Sequence, residues 1–552
     1  MREFCHQTIR ALAEQRLICR SPEVAAVNVL NDLLAESSQT AFAQEHALEH
    51  VRTLSDWKRA VPIRTYPQLR DYIDRQLQGE PRVLTRDDPY AFLKTSGTSG
   101  QAKLVPTTRH WRQVYRGPAL YAQWGLYFKL LRLEDPKVEN VLDLSWERCA
   151  PTKFSNGFPI YSITQRPESL HGADWTPPWY DSSWFTTNPE VDDFRERLYH
   201  LLRLRAGCDV RLIVSVNPSK IVALATALRD FGPRLVHDLR SEPVGRRLDR
   251  LLDKQGGELL LTDLWPNLSF VVCWNSASAQ LYGSLIDHLL PDVVRVPFST
   301  TGTEGIVTLP VDTHWSAGPL AVNQGVYEFV PVADLLDEIV PAANADTLSF
   351  NELETGRYYR LVMSQANGLY RYDVGDIYRV TGWVGSVPRL EFAGRGGAFS
   401  SFTGEKLTES DVFAAVSRVL QSDRASGVNF SCFPVWGEPP HYVVAIEWSS
   451  RLGAQQAAEL AGRIDAALSM INPEYAEKRA SGRLKSTSVI RLADGAFEKI
   501  TQKRISAGVS PAQIKHQWLQ RDASMLKLFD ETGTRLVDLE TPATQAIVSE
   551  EA

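Results

Sequence analysis

The sequence predicts an α/β protein with a large N-terminal domain and a smaller C-terminal domain. From about residue 208, β-branched runs alternate with helical ones, since VRLIVSV is followed by a helix through KIVALATAL and then by LSFVVCW. This order is typical of a largely parallel sheet. Near residue 400 the run GRGGAFSSFTG is rich in glycine and serine, a composition that makes chains flexible. A separate αβ pattern follows it, which predicts a second domain.

These changes in composition divide the chain of 552 residues. We predict a large domain over 1–395, a hinge at 396–403, a small mobile domain over 404–538 and a frayed tail at 539–552. Residues 134–190 are rich in proline and tryptophan and have no clear period. Long ordered segments of this kind are usually functional loops, so we expect a lid-like insertion there.

Helical spacing predicts the elements at both ends of the chain. The first 75 residues are interpreted as helical, with an apolar stripe through Leu48, Val51, Leu54 and Trp57. Behind the hinge, the spacing of apolar residues predicts helices through 412–420 and 460–471, and HYVVAIEW alternates as a strand.

The same part of the chain, around residue 48, also contains a pattern resembling a zinc site. His46 and His50 with Glu49 match the HxxEH arrangement, in which histidines four residues apart can share a metal. Nothing in the sequence identifies a third ligand, so we interpret this stretch as an ordinary amphipathic helix.

Composition excludes several classes of protein. Apolar residues make up 43% of the chain and charged residues 23%, and 60 basic against 66 acidic side chains give a net charge of −6. No basic block occurs, which argues against nucleic-acid or anionic-membrane partners. The six cysteines form no CxxC pair. The first 20 residues lack the continuous apolar stretch that is typical of a signal peptide, and no apolar run is long enough to predict a membrane-spanning helix. We expect a reduced, cytoplasmic protein that is a monomer or a weak dimer.

The stretch TSGTSGQAK at 95–103 combines glycines, hydroxyl groups and a lysine. Backbone N–H groups and hydroxyls can converge on an anion in such a loop, and lysine supplies compensating charge. It is not the common nucleotide P-loop, because Lys103 does not directly follow a glycine. The alternative is a flexible surface loop. The candidate phosphate ligands are Ser96, Gly97, Thr98, Ser99, Gly100 and Lys103.

Three further stretches carry groups suited to a nucleotide. Glu304 lies among glycines and the hydroxyls of Thr301 and Thr303, and a lone carboxylate of this kind suits a magnesium ion that bridges phosphates. Asp376 ends a glycine turn and can accept hydrogen bonds from a ribose diol. Arg395 precedes the predicted hinge. Each pattern taken alone is more typical of a structural turn.

The order of these motifs resembles the adenylate-forming (ANL) superfamily, in which a TSGTTGxPK loop stands where this chain has TSGTSGQAK. Within that superfamily the chain resembles the auxin-responsive Gretchen Hagen family of acyl-acid amido synthetases. The stretches that carry this resemblance span nearly the whole chain: Val61–Ile63 with Tyr66, Leu264–Leu268, Glu328–Phe329, Gly368–Tyr372, Asn472 with Tyr475 and Arg479, Gly495–Phe497 and Gly508–Lys515.

The resemblance implies an ANL fold and a set of residue roles. Ser96, Thr98 and Ser99 would hold the phosphates of ATP, and Glu304 would ligate Mg²⁺. Asp376 would bind the ribose hydroxyls with help from Arg395. The resemblance assigns the phosphate-contacting lysines of the small domain to Lys406, just past the hinge, and Lys515, so that the expected catalytic residues are Lys515, Lys406 and Glu304.

Two positions depart from the family pattern, and one segment has two interpretations. Thr300 or Thr301 stands where an adenine-stacking aromatic is usual, and Asp373 stands where a basic residue is usual. The aromatic residues after the phosphate loop lie where the family builds its acyl pocket, although helical aromatic stripes are more often core. They are Trp111, Tyr115, Tyr121 and Trp124.

The implied reaction joins a small carboxylic acid to an amine, typically an amino acid, in two steps. Attack of the acid on ATP forms an acyl-adenylate and pyrophosphate, and the amine then displaces AMP. Two alternatives stay open at this point. One is a ligase that uses a thiol acceptor, coenzyme A or a carrier protein, and the other is a non-catalytic nucleotide-binding relative.

Overall fold

The computed structural model of the chain describes most of both predicted domains. The described residues are 1–94, 103–145, 153–161, 163, 177–179, 194–254, 258–276, 279, 282–333, 340–395, 399–400, 405, 407–422, 428–437, 439–448, 454–480, 484–506, 516–520 and 522–536. The chain divides into two compact units, Met1–Gly396 and Gly397–Ala552. Of the predicted hinge only Phe399 and Ser400 are described, as a short strand.

The N-terminal unit begins with five helices: α1 (Arg2–Arg20), α2 (Glu23–Ser37), α3 (Ala41–Glu45), α4 (Leu54–Ala60) and α5 (Tyr66–Leu77). The helix predicted to run through Leu48, Val51 and Leu54 is wrong. Ala47 has a left-handed backbone with φ of 48°, and only a 3-10 turn follows at Leu48–His50. A capping box between Thr53 and Asp56 then starts α4, because a side-chain oxygen at this position satisfies an otherwise unpaired backbone N–H group.

A four-stranded parallel sheet confirms the α/β prediction. Its strands are β3 (Val141–Asp143), β6 (Leu212–Val214), β7 (Phe270–Cys273) and β8 (Val294–Pro297), hydrogen-bonded in that order. The described residues of this part of the chain form five helices: α7 (Phe194–Arg205), α8 (Pro218–Asp238), α9 (Pro243–Lys254), α10 (Leu261–Leu264) and α11 (Gly283–Leu289). Ile213 and Val271 are fully buried in the core that these elements share.

Two further sheets complete the large unit. The first has the order β2 (Leu104–Thr107), β1 (Ala91–Lys94), β5 (Phe158–Tyr161) and β4 (Lys153–Ser155). The second is an antiparallel sheet of β10 (Val326–Val332), β11 (Tyr358–Ser364), β12 (Tyr372–Val384), β13 (Val387–Arg395) and β9 (Gly318–Pro319). A short 3-10 turn lies at Phe350–Glu352 and another at Val138–Asn140.

A long helical stretch follows β2. It begins as a π-helix over Trp111–Arg116, in which the Gly117 amide donates to the Arg112 carbonyl, and continues as α6 (Gly117–Leu131). Pro118 has no N–H group, which removes one helical hydrogen bond at this junction. Gly125 allows α6 to approach α1 closely, because a Cβ atom there would lie 2.1 Å from the Thr8 carbonyl oxygen.

The smaller unit has its own sheet. The strands β16 (Phe430–Val435), β17 (His441–Glu447), β18 (Ser488–Leu492) and β19 (Arg535–Leu536) pair in that order, and only β17 and β18 are parallel. A separate pair joins β14 (Phe399–Ser400) to β15 (Leu407–Thr408). The helices described in this unit are α12 (Glu409–Ser422), α13 (Ala454–Ile471), α14 (Pro473–Ala480), α15 (Ala496–Ser506) and α16 (Ser524–Glu531). This unit matches the predicted order of a helix, a strand and a second long helix.

Candidate active site

The candidate phosphate loop lies between β1 and β2. These strands pair antiparallel, with Lys94 opposite Leu104, so both ends of the connection are held together. Ser96, Gly97, Thr98, Ser99 and Gly100 lie outside the described residues. The interpretation of this loop as a phosphate cradle therefore stays a prediction.

Lys103, at the end of this loop, lies between two buried tyrosines. Its Nζ atom donates a hydrogen bond of 3.1 Å to the Tyr372 hydroxyl and lies 5.6 Å from the ring centroid of Tyr66 and 5.8 Å from that of Tyr372. Tyr66 in turn fixes the backbone beside the lysine, because its hydroxyl accepts from the Leu104 amide and donates to the Leu104 carbonyl. The ammonium group is thus held between α5 and β12.

Glu304 lies in a tight turn after β8. Thr301 and Ile306 form an antiparallel bridge, and the Gly302 amide donates to the Gly305 carbonyl over 2.9 Å. A Cβ atom on Gly302 would come within 2.7 Å of the Glu304 carboxylate, so a side chain at this position would crowd the acid. Thr301 uses its hydroxyl within the turn, where it donates to the Gly305 carbonyl.

Tyr66 contacts Lys103 directly and is also affected by the charge of Glu304. Burial raises the pKa of the Tyr66 hydroxyl, and the negative charges of Asp74 and Glu304 raise it further. Lys103 lies over the Tyr66 ring, whereas Glu304 acts on Tyr66 only through its charge.

Asp376 and Arg395 are opposite each other in the β12–β13 pair. Asp376 is half-buried and lies on the same strand as Tyr372, the partner of Lys103. The glycine before it, Gly375, has φ of 82°, a left-handed conformation that most side chains avoid. The strand therefore carries both the lysine contact and the predicted ribose ligand.

Asp373 has a structural partner, which accounts for its departure from the family pattern. Arg360 on β11 donates two hydrogen bonds of 2.9 Å to its two carboxylate oxygens, and the Gly375 amide donates a third of 3.0 Å. Both side chains are buried. This carboxylate shapes the turn before Asp376.

A second buried ion pair underlies the same sheet. Arg371 has φ of 43° and donates two hydrogen bonds to Glu328, at 2.9 and 2.8 Å, while each side chain is only 1% exposed. Its remaining guanidinium N–H groups reach the carbonyls of Lys58 and Val61. Three of the stretches that carry the family resemblance, 61–63, 328–329 and 368–372, are thus joined by one arginine.

The aromatic residues proposed for the acyl pocket lie in the core of the large unit. Trp111, Tyr115 and Trp124 are 1%, 5% and 3% exposed, and Tyr121 is half-buried. Trp124 packs against Trp179 with ring centroids 4.4 Å apart. Such burial is the pattern of core residues, and contact of these four side chains with an acid stays a prediction.

Tyr115 belongs to a polar cluster at the edge of this core. Its hydroxyl donates to Asp32, which also lies 2.7 Å from Nε2 of His110. The hydrogen bond to Asp32 raises the pKa of His110, and the Asp32 charge adds to this effect. Burial raises the pKa of the Tyr115 hydroxyl far above its usual range.

Three of the other predicted site residues have no described side chain. Lys406 and Lys515 lie outside the described residues, and the backbone of Arg395 is described without its side chain. The residues after Lys515 run beside β16, where Cys432 and Leu519 form a parallel bridge. Over the described part of the chain, no cluster of three or more His, Cys, Asp or Glu side chains could hold a metal ion.

The zinc pattern at His46 is explained by other contacts. Nε2 of His46 lies 2.6 Å from the Arg64 guanidinium, and burial together with this positive charge lowers the pKa of His46. His50 is exposed in the 3-10 turn. His46 is thus engaged by Arg64, and the helix expected through this stretch is wrong.

Comparison with known proteins agrees with the order of these motifs. Three family models match successive parts of the chain: the GH3 family N-terminal domain over residues 11–295, the GH3 family central domain over 318–395 and the GH3 family C-terminal domain over 410–524. The chain belongs to the GH3 family. This confirms the resemblance to acyl-acid amido synthetases, which rests on motifs spread over the same three ranges.

Relatives within the GH3 family match most of the length of the chain. Indole-3-acetic acid-amido synthetase GH3.4 of Arabidopsis thaliana is 25% identical, over 95% of this chain and 93% of its own. The 4-substituted benzoates-glutamate ligase GH3.12 of the same plant is 24% identical, over 88% of this chain and 91% of its own. The solved structure of the acyl acid amido synthetase AtGH3.15 in complex with 2,4-DB superposes with a TM-score of 0.75 at 18% identity, over 96% of each chain, which confirms the fold.

Sequence reasoning missed several residues of the site. Tyr372 contacts Lys103, Arg116 donates to the Gly302 carbonyl, and Gln123 accepts from Ser299. Arg116 and Gln123 carry a usable signal, since polar residues interrupt an otherwise apolar helix there. No helix of the described residues is long and apolar enough to cross a membrane.

Proposed function

We propose that this protein is an ATP-dependent acyl-acid amido synthetase. The single observation that carries the proposal is the hydrogen bond from Lys103 to Tyr372, on the strand that also bears Asp376. Named relatives in the GH3 family join acids to amino acids, which supports the same chemistry here. The substrates are a small carboxylic acid, ATP and an amine, with an amino acid as the expected amine.

The donor set around Glu304 suits Mg²⁺ held mainly by substrate. Mg²⁺ keeps several waters and binds through one or two carboxylates together with phosphates, so a single acid in a glycine-rich turn is an adequate protein ligand. When bound, the ion would neutralise charge on the phosphates. Glu304 would hold it, and no cluster of protein ligands is needed.

In the first step a carboxylate oxygen of the acid attacks the α-phosphorus of ATP, and the bond to pyrophosphate breaks. Negative charge is moved rather than created, so catalysis is mainly positioning and electrostatic stabilisation. Lys103 supplies a positive charge near the phosphates, and Asp376 orients the ribose. In the second step the amine attacks the acyl carbonyl, AMP leaves, and the amine loses a proton.

An acid library scored by ATP–pyrophosphate exchange tests the first step. We expect at least one carboxylic acid to support exchange, with an absolute requirement for that acid and for Mg²⁺. Hydroxylamine or amino acids should then react with the acyl-adenylate to form an amide, whereas coenzyme A should not react with it. Exchange with none of a broad set of acids would contradict the proposal, and product formation only with coenzyme A would reassign the acceptor.

A further inference from the structure

One face of the helical stretch after the phosphate loop is hydrogen-bonded to the segment that leads to Glu304. The Tyr127 hydroxyl donates to the Pro297 carbonyl over 3.1 Å. The Ser299 hydroxyl donates to Oε1 of Gln123 over 2.5 Å. We call Arg116, Gln123 and Tyr127 the polar ladder.

Arg116 forms the last contact of the polar ladder. Its Nη1 atom donates to the Gly302 carbonyl over 3.2 Å, and Nη2 lies 3.5 Å from the Thr301 hydroxyl. The guanidinium also lies 5.5 Å from the ring centroid of Trp111. These contacts hold the turn only two residues before Glu304.

The contacts of the polar ladder follow a regular order. Residues 127, 123 and 116 contact residues 297, 299 and 302 respectively, so the helix and the segment run in opposite directions. Residues spaced by four and seven positions lie on one helix face. A polar stripe along an otherwise apolar helix thus matches the end of β8 and the segment that follows it.

Because the polar ladder is buried, its contacts favour a single arrangement of the helix relative to the segment. Arg116 is 6% exposed, and Gln123 and Tyr127 are each 1% exposed. A buried polar group that loses its partner destabilises the structure, so the helix and the segment are locked in register. The π-helical turn that carries Arg116 supports a functional role, because such turns occur frequently at functional sites.

We propose that the polar ladder is a positioning device that sets the Glu304 carboxylate for Mg²⁺–ATP, with Arg116 as its principal residue. The inference rests on the proposed function. Arg116 fixes the Gly302 carbonyl and the Thr301 hydroxyl, and Glu304 follows two residues later, so loss of Arg116 frees the turn rather than removing a ligand. Small displacements of a ligating group reduce function strongly.

The test compares Arg116→Met with Arg116→Lys, Tyr127→Phe and a matched control, Arg109→Met, whose exposed guanidinium lies over Tyr90 instead of the turn. Hydrogen–deuterium exchange of peptides spanning 297–307 measures the mobility of the turn directly, in the absence of nucleotide. We expect Arg116→Met to speed exchange there by about 10-fold, the scale of one hydrogen bond to a charged group. Tyr127→Phe should have a smaller effect in the same peptides, and Arg109→Met none.

Calorimetric titration measures the affinity for ATP with and without Mg²⁺. The difference between the two affinities reports on metal binding independently of enzyme activity. In Arg116→Met, the gain in ATP affinity that Mg²⁺ provides should be about 10-fold smaller than in the wild type, while the affinity without Mg²⁺ should stay the same. Arg116→Lys should restore part of the Mg²⁺-dependent gain. An unchanged Mg²⁺-dependent gain, or equal losses in Arg116→Met and Arg109→Met, would overturn the proposal. Failure of the wild type to bind ATP would instead overturn the proposed function.

Discussion

Asp376 on β12 stands directly opposite Arg395 on β13. The two residues are 19 positions apart in the sequence, and the antiparallel register brings them to one point of the sheet. Arg395 is also the last residue of β13, next to the boundary between the two compact units. The predicted ribose ligand therefore lies at the end of the large unit.

This arrangement predicts a selective effect of Asp376→Ala on nucleotide binding. The KM for ATP should rise by about 10- to 100-fold, the scale of hydrogen bonds to a charged group, with a smaller change in kcat. The wild type should discriminate against 2′-deoxy-ATP, and the variant should not. A variant that still discriminates between the two nucleotides would remove Asp376 from the ribose site.

Glu304→Gln should reduce adenylation by about 100- to 1,000-fold, the usual effect of removing one strong electrostatic contact in a transition state. The melting temperature should stay the same, because the acid is only half-buried. Exposed Glu354, which pairs with Arg357 on the surface, provides the control Glu354→Gln. Near-normal ATP–pyrophosphate exchange in Glu304→Gln would rule out this residue as the metal ligand.

The ion pair between Arg371 and Glu328 is predicted to support stability rather than chemistry. Glu328→Gln leaves a buried guanidinium without its counter-charge, and breaking such pairs costs about 3–5 kcal/mol. Urea denaturation should show this loss, whereas Glu354→Gln, which breaks an exposed pair, should cost about 1 kcal/mol or less. Equal free energies of unfolding for the two variants would contradict the buried-pair account.

The contact between His110 and Asp32 predicts a pH dependence of stability. Because its pKa is raised in the folded state, His110 contributes stability that is fully present below its unfolded value of about 6.5. That contribution is lost as the pH rises through the folded pKa. The melting temperature of the wild type should therefore fall relative to His110→Gln between pH 6 and pH 9. A constant difference between the two proteins over this range would show that the contact does not titrate.

Lys515 is predicted to serve adenylation alone. A compact ammonium on a flexible stem can neutralise phosphate charge, so Lys515→Ala should reduce pyrophosphate exchange by about 100-fold or more. The same variant should convert a pre-made acyl-adenylate to amide at a near-normal rate. Equal losses in both half-reactions would indicate a structural lysine, and no loss in either would shift the role to Lys406.

The sequence predicted the parallel sheet, the small αβ unit and the family because those features depend on local pattern and motif order. It missed the break at Ala47, since apolar spacing continued across a left-handed residue that no glycine marks. It also missed the polar ladder and the partner of Asp373. Those contacts join residues far apart in the chain, such as Arg116 with Gly302 and Tyr127 with Pro297, and only the fold determines them.

An isotope experiment tests the central claim most directly. The enzyme is supplied with ATP, an amino acid and an acid whose carboxylate carries ¹⁸O, and the masses of the products are measured by mass spectrometry. Because a carboxylate oxygen attacks the α-phosphorus and stays there when the amine displaces AMP, one ¹⁸O should appear in AMP for each amide formed. Amide formation with unlabelled AMP, or with label in inorganic phosphate, would contradict an acyl-adenylate mechanism.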